Sequence, residues 1–206
     1  MEPDTNTSKL ISPITAYGHP VLRKKCSALG LTETEKETLI EGLWQTMEAS
    51  GGIGLAAPQI NCALKAFVVN SEQVYRDAGV SARKALFSGD KGIIETFINA
   101  RIIAFSEDQW NENEACLSIP GINEPVERSF EIMVEYKDRS LELHRTQFSG
   151  YTAKVIQHEY DHTKGMLFVD HLSPLKKKLI SRKLKQIRKR NIQTVYPMLY
   201  AERVNH

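Results

Sequence analysis

Cysteine is scarce in this chain of 206 residues, which contains only Cys26, Cys62 and Cys116. A small and odd number of cysteines argues against a framework of disulfide bonds. Because unpaired thiols are typical of reducing compartments, the sequence predicts a cytoplasmic location. At least one thiol is then left free for chemistry, such as binding a metal ion.

Long hydrophobic runs are also missing, since the longest cover only a few residues, such as residues 66–69. A membrane-spanning helix needs about 20 apolar residues, so we expect none. The first ten residues, MEPDTNTSKL, lack the pattern of a secretory signal. Glycine and proline number 12 and 8, which excludes collagen-like and linker-like chains. The length predicts a single domain over residues 1–206.

The net charge of +2 conceals a strong asymmetry between two parts of the chain. Nine of the 27 basic residues lie between Lys176 and Arg190, where there is no acidic residue. The rest of the chain is therefore acidic. A basic patch of this kind binds nucleic acid, an anionic membrane or a ribosome, or it is simply a solvated helix face.

Hydrophobic periodicity predicts an α+β fold, with antiparallel β-sheets around a central helix and further helices towards the N-terminus and the C-terminus. A capping box at Thr32 and Glu35 begins a helix that ends near Ser50. Strands are predicted at residues 66–70, 93–105 and 130–136, and a partner strand begins at residue 141. Residues 71–92 look like an insertion with a helical turn near residues 82–87. The central helix covers residues 150–164.

The C-terminal segment, residues 173–206, is predicted to be a basic helix and tail. Ser173 and Pro174 form a favourable helix start. The apolar stripe expected to pack on the body of the protein comprises Leu175, Leu179, Ile180, Leu184 and Ile187.

The central helix contains the segment HEYDH, with His158, Glu159 and His162 in the pattern His-Glu-x-x-His. Residues four apart share one helix face, so both imidazoles can reach one ion. The glutamate lies on the same turn and can contact a metal-activated water, as in zinc peptidases. The alternative is a polar helix face with two surface histidines.

A catalytic metal site needs a third protein ligand. The zinc-peptidase pattern would place a histidine where this chain has Phe168. The downstream candidates are Asp170, His171 and Glu202, and the upstream candidate is Cys116. A thiolate is an excellent ligand for zinc or ferrous iron, which favours the cysteine.

Three segments in this order resemble the peptide deformylase family: GIGLAAPQ at residues 52–59, EACLS at residues 114–118 and QHEYDH at residues 157–162. YGHPVLR at residues 17–23 and FINAR at residues 97–101 also resemble that family, so the resemblance covers about residues 11–172. It implies a metal-dependent hydrolase that removes the N-formyl group from the initiator methionine of new polypeptides. An internal peptidase and a non-catalytic relative that binds nascent chains or ribosomes are the alternatives.

By this resemblance, Cys116, His158 and His162 hold one divalent metal ion, Fe²⁺ in the cell, with Ni²⁺, Co²⁺ or Zn²⁺ as substitutes. Glu159 is the general base and acid for a metal-activated water that attacks the formyl carbon. The Gln59 side chain and the Leu117 backbone N–H are the oxyanion donors. The resemblance also implies that Arg128 pairs with Glu114 to orient the cysteine loop.

Substrate binding is predicted at two places. By the resemblance, Ile53 and Gly54 pair with the main chain of the substrate as an added strand. Val155 lies one helical turn before His158, so it either lines the methionine pocket or belongs to the core. The predicted partners are N-formylmethionyl nascent peptides, with the ribosome reached through the basic helix, no membrane, and a monomeric protein.

The chain departs from the family pattern at two positions near these motifs. Ala115 replaces the usual glycine before the cysteine, and Asn123 stands where many members have arginine. Neither change removes a predicted ligand or the base. They bear on the rate of the reaction and on substrate binding.

Overall fold

The structure is a computed structural model that describes residues 10–87 and 90–202. Within them the strands are β1 (Ile14–Thr15), β2 (Gly54–Ala56), β3 (Ala66–Asn70), β4 (Ile94–Phe105), β5 (Gln109–Cys116), β6 (Ile119–Ser129), β7 (Glu131–Lys137), β8 (Leu143–Ser149) and β9 (Met198–Leu199). The α-helices are α1 (Glu33–Ala49), α2 (Glu72–Asp77), α3 (Val80–Leu86), α4 (Gly150–Thr163) and α5 (Pro174–Arg188).

The main sheet has five strands in the order β2-β3-β4-β7-β8, and all its pairs are antiparallel. Strands β5 and β6 form a separate long hairpin, and β1 pairs in parallel with β9. The α+β fold class and the three predicted strands are confirmed. The hairpin and the parallel pair did not follow from the sequence pattern.

Helix α1 begins as predicted. The Thr32 hydroxyl accepts from the Glu35 N–H at 3.4 Å, and the Glu35 carboxylate accepts from the Thr32 N–H at 3.0 Å. These two bonds satisfy backbone donors that the first helical turn leaves unpaired. The apolar face of α1, with Ile40, Leu43 and Met47, is fully buried against β2 and β3.

The described part of residues 71–92 forms two short helices rather than a single turn. Helix α3 begins at Val80, before the predicted position, and no residue of α2 or α3 is buried. The Arg83 guanidinium joins the two helices, since it donates to the Tyr75 carbonyl at 2.7 Å and lies 4.7 Å from the centre of the Tyr75 ring. That this segment is an insertion in a single domain stays a prediction.

Helix α5 packs on β6 through a narrower stripe than the sequence pattern predicts. Ile180 and Ile187 are buried, but Leu175 and Leu179 are 69% and 72% exposed. An α-helix turns by about 100° per residue, so Leu179 points well away from the buried line through Ile180 and Ile187. The prediction for these two leucines was wrong.

Helix α4 lies at the centre of the molecule. It contacts β2, β3, β6, β7 and β8, and most of its residues are buried. The chain leaves the helix at Gly165, whose φ of +76° suits glycine, as its position predicts. None of the described helices is long and apolar enough to cross a membrane.

Candidate active site

Three predicted ligands converge at the middle of α4. The Cys116 sulfur and one ring nitrogen each from His158 and His162 lie within 4.8 Å of one another. The cysteine comes from the end of β5, and the histidines lie one turn apart on α4. All three residues are buried. Helical spacing explains the two histidines, and the hairpin of β5 and β6 delivers the sulfur.

The three donors fit a divalent metal ion. A thiolate and two imidazoles are a donor set that suits zinc and ferrous iron. Burial lowers the pKa of His162 well below its ordinary value, so its ring is neutral, which is the form that binds a metal. The Nε2 atom of His162 lies 3.3 Å from the Cys116 sulfur, which shows that both donors point to one centre.

Of the other ligand candidates, Glu202 is exposed, and two are engaged elsewhere. Asp170 forms an ion pair with Arg23, and His171 lies 2.7 Å from the Asp161 carboxylate. Phe168, at the position where the zinc-peptidase pattern needs a histidine, stacks on the His158 ring with centroids 6.0 Å apart. The only group of donors around the paired histidines within the described part of the chain is therefore the one completed by Cys116.

A buried ion pair holds His158 in place. The His158 Nδ1 atom lies 2.8 Å from a Glu114 carboxylate oxygen. Arg128 donates to both oxygens of that carboxylate, at 2.8 and 3.1 Å, as predicted. Burial alone would raise the pKa of Glu114, but His158 and Arg128 outweigh it and hold that pKa well below its usual range. The contact with Glu114 fixes the His158 ring and leaves its other nitrogen available as a metal donor.

The sequence suggested His171 only as a candidate metal ligand and did not predict the contacts of Asp161. In the structure, the Asp161 carboxylate accepts a hydrogen bond from Arg128 at 2.6 Å, and the His171 Nε2 atom lies 2.7 Å from the same carboxylate. The carboxylates of Glu114 and Asp161 therefore share one guanidinium. The spacing of residues within α4 offers no signal for such a pairing, because the arginine comes from β6.

Glu159 lines the same cavity as Cys116 and His158. Burial raises its pKa to about 7. Its Oε2 atom is buried, and no group in residues 10–87 or 90–202 donates a hydrogen bond to it. The carboxylate packs directly over Gly54, because a Cβ atom on that glycine would lie 2.5 Å from Oε1. This close approach explains the need for glycine at position 54.

Gln59 and Leu117 flank the cysteine from two sides. The Gln59 side-chain oxygen accepts from the Ala56 N–H at 2.8 Å. This bond turns the amide nitrogen towards the Cys116 sulfur, at 3.5 Å, and the Ser118 hydroxyl, at 3.3 Å. Leu117 follows the cysteine in the turn between β5 and β6, and it lines the same cavity.

A cavity of about 410 Å³ brings the predicted substrate residues together with Cys116, His158 and Glu159. Ile53, Gly54 and Val155 all line it. The sequence reasoning missed other lining residues, namely Asn113, Tyr151, Lys154 and Tyr196. Spacing could have found Tyr151 and Lys154, because they precede His158 by seven and four residues and so share its helix face. No local signal marks Tyr196.

The two departures from the family pattern are neighbours in space. Ala115 and Asn123 are directly paired across the hairpin of β5 and β6, and both line the cavity. Ala115 is exposed, so its methyl group is accommodated without displacing the adjacent Cys116.

The comparisons with known proteins agree with this site. The family model for polypeptide deformylase matches residues 11–178. The peptide deformylase of Christiangramia forsetii is 40% identical over 93% of this chain and 96% of its own length. That of Flavobacterium johnsoniae is 39% identical over 93% of this chain and 97% of its own.

Solved structures give the same result. A peptide deformylase from Legionella pneumophila has a TM-score of 0.72 and 31% identity, over 87% of this chain and 96% of its own. Arabidopsis thaliana peptide deformylase 1B, in complex with an inhibitor, has a TM-score of 0.74 and 27% identity, over 86% of this chain and 91% of its own. With the matching fold and a Cys-His-His centre in place, this chain belongs to the polypeptide deformylase family, which removes the N-formyl group from nascent polypeptides with a divalent metal.

Proposed function

We propose that the cavity around Cys116, His158 and His162 is where this protein deformylates N-formylmethionyl peptides. The observation that carries this proposal is the position of Glu159. Its Oε2 atom accepts no hydrogen bond within the described residues, and Glu159 lines the same cavity as Cys116 and His158, whose donor atoms lie within 4.8 Å of each other and of a His162 ring nitrogen. A hydrolytic site needs this combination of ligands and a nearby base.

Cys116, His158 and His162 would hold the metal, which we propose to be Fe²⁺ in the cell. Ni²⁺, Co²⁺ and Zn²⁺ also suit a thiolate and two imidazoles. When bound, the metal supplies Lewis acidity and makes hydroxide available near neutral pH. Glu114 and Arg128 keep the His158 ring oriented for this purpose.

Glu159 is the proposed proton carrier. It accepts a proton from the attacking water and delivers it to the amine that leaves when the formyl C–N bond breaks. Formate and a peptide with a free amino terminus are the products. The Gln59 amide and the Leu117 N–H are the proposed donors to the oxyanion, and the bond from Ala56 preorganises the amide for this role.

The substrate is proposed to bind along β2. This strand is at the edge of the main sheet, so one side of it has no partner strand within the described residues. An extended peptide can add to such an edge through backbone hydrogen bonds from Ile53 and Gly54. A peptide deformylase from Acinetobacter baumannii has been solved with Met-Ala-Ser bound, with a TM-score of 0.70 and 26% identity over 80% of this chain and 99% of its own. Val155 would line the pocket for the first side chain.

The basic surface of α5 is proposed to dock on the ribosome, which places a monomeric enzyme beside its nascent substrates in the cytoplasm. Most of the nine basic residues between Lys176 and Arg190 are exposed, as a surface that binds phosphates requires. Docking predicts ribosome co-sedimentation that falls steeply with salt. The charge-reversed variant of Arg188, Lys189 and Arg190 should lose it.

Formate release from formyl-Met-Ala-Ser tests the activity. The protein is prepared anaerobically with Fe²⁺ or Ni²⁺, and its metal content is measured. We expect formate from the wild type, and no detectable turnover from Glu159→Gln at equal metal content. Near-normal turnover by that variant would overturn the role of Glu159. Cleavage of internal peptide bonds without formate release would overturn the proposed function.

A further inference from the structure

A lysine lies in the wall of the active-site cavity. Lys154 is only 5% exposed, and it lines the cavity together with Tyr151 and Val155. These residues share one face of α4 with His158, since they precede it by four, seven and three residues. The lysine therefore lies about one helical turn from the metal centre, next to the proposed pocket for the first side chain.

The Lys154 ammonium has few partners for a buried group. It donates to the Asn113 carbonyl and lies 5.4 Å from the centre of the Tyr151 ring. Within residues 10–87 and 90–202 no carboxylate lies within 4.0 Å of it. Glu112 and Glu114 act on it only at longer range, and burial lowers its pKa. A lysine carries three donors in its charged form, so the single hydrogen bond that the described residues accept from Lys154 leaves others unused among them.

Both groups that the ammonium contacts, Asn113 and Tyr151, also line the cavity. The unused donors are therefore at the cavity wall rather than in a sealed core. A buried donor without an acceptor destabilises the protein until water or a ligand supplies one. If Val155 lines the pocket for the first side chain of the substrate, the end of that side chain is the substrate group nearest to Lys154.

We propose that Lys154 is a specificity-determining residue that adapts the pocket to N-formyl peptides whose first side chain ends in a hydrogen-bond acceptor. This rests on the proposed function. The side chain that fits best is methionine sulfoxide, because it has the length of methionine and carries an oxygen. The thioether of methionine is a weak acceptor, whereas the sulfoxide is polar. The sulfoxide group itself is unchanged when the formyl C–N bond is hydrolysed.

A purely structural role for Lys154 is the competing explanation. In that case its bond to Asn113 would only hold β5 against α4. Loss of the lysine would then affect all substrates by the same factor. A selectivity ratio between two first side chains of equal length separates the two explanations, because instability of the hairpin cancels from it.

The test uses the metal-loaded full-length protein and three peptides: formyl-Met-Ala-Ser, its methionine sulfoxide form and its norleucine form. Norleucine has the length of methionine but no acceptor. The variants are Lys154→Met and Lys154→Arg, and Lys164→Met on the exposed end of α4 is the matched control. We measure kcat/KM for each peptide, together with metal content and thermal unfolding.

We expect the ratio of kcat/KM for sulfoxide over norleucine to fall about tenfold in Lys154→Met, the effect of one charge-assisted hydrogen bond. Lys154→Arg should retain most of the ratio, and Lys164→Met should match the wild type. An unchanged ratio in Lys154→Met would overturn the proposal. If Lys154→Met does not fold, the wild type alone tests the proposal. A ratio of kcat/KM for sulfoxide over norleucine that is below one in the wild type overturns it. Absence of formate from all three peptides with the loaded wild type would refute the proposed function instead.

Discussion

The Tyr196 hydroxyl donates a hydrogen bond to the Leu117 carbonyl at 2.9 Å, across 79 residues of sequence. Leu117 follows the proposed cysteine ligand, and its N–H is a proposed oxyanion donor. Tyr196 lies between α5 and β9, and the pairing of Met198 with Ile14 holds this segment in place. The segment after α5 therefore supports the turn that carries part of the proposed catalytic machinery.

Replacement of Tyr196 by phenylalanine should lower kcat for formyl-Met-Ala-Ser by about fivefold, since one neutral hydrogen bond contributes ~1 kcal/mol. The physical cause is a less restrained Leu117 peptide. Steady-state kinetics at equal metal content measure it. Tyr200→Phe is the control, because the hydrogen bond of that hydroxyl within residues 10–87 and 90–202 is a weak one to the Met198 sulfur, at 3.6 Å. Equal kcat values in both variants would show that the Tyr196 hydroxyl does not support catalysis through Leu117.

A methyl group at position 54 should displace the proposed base. The Cβ of Gly54→Ala would lie 2.5 Å from Glu159 Oε1, so the carboxylate must move. A misplacement of about 1 Å can cost on the order of 100-fold in rate. We therefore expect kcat to fall by that order with no loss of metal. Gly30→Ala is the matched control, because nothing lies within 4 Å of its added Cβ. A fully active Gly54→Ala enzyme would contradict the observed packing.

Glu114→Gln should weaken metal binding. The variant keeps the shape of the side chain but loses the charge that orients His158 and pairs with Arg128. Loss of such a partner typically costs about 10- to 100-fold in metal affinity. Competition with a chelator, followed by metal analysis, measures this. Glu112→Gln, two residues earlier in β5, should bind metal like the wild type. Identical affinities for the two variants would exclude the orienting role.

The stability of the protein should fall at alkaline pH through Cys26. Burial raises the pKa of this thiol from its ordinary value of 9.0 to about 11. Between these values the unfolded chain loses the proton and the folded chain keeps it. Folded protein then binds more protons than unfolded protein, so the free energy of unfolding decreases as pH rises.

Urea unfolding from pH 8 to pH 11 measures this effect against Cys26→Ala. The alanine variant is less stable near neutral pH because it loses a buried side chain. The gap between the two proteins should narrow as the pH rises. A gap that stays constant over this range would show that the thiol does not contribute in this way.

Local patterns predicted the parts of the fold whose signals are local. The capping box at Thr32 and the glycine at position 165 marked helix ends, because the bonds and dihedral angles involved belong to neighbouring residues. Strands β5 and β6 were not predicted, because residues 109–113 are mostly polar and the turn at Leu117 contains no glycine. The pairing of β1 with β9 is a contact between two-residue strands far apart in the chain, for which no periodicity exists.

The active site also has parts that local patterns predicted and parts that they did not. Helical spacing alone brings His158 and His162 together, but Cys116 was the favoured third ligand only through a resemblance and the chemistry of sulfur. Lys154 lies on the helix face that the histidines define. Helical spacing, counted from His158 towards the N-terminus, could therefore have predicted its place beside the site. The position of Tyr196 depends on the path of the chain after α5. The residues of that segment do not reveal this path.

The order of synthesis adds a consequence to the pairing of Ile14 with Met198. A polypeptide is made from its N-terminus, so Cys116, Glu159 and the histidines all leave the ribosome before the segment that carries Tyr196. Tyr196, which supports the Leu117 peptide, is consequently the last residue of the cavity to be synthesised. A newly made copy of this enzyme would reach its full rate only after that late segment has closed against the early strand.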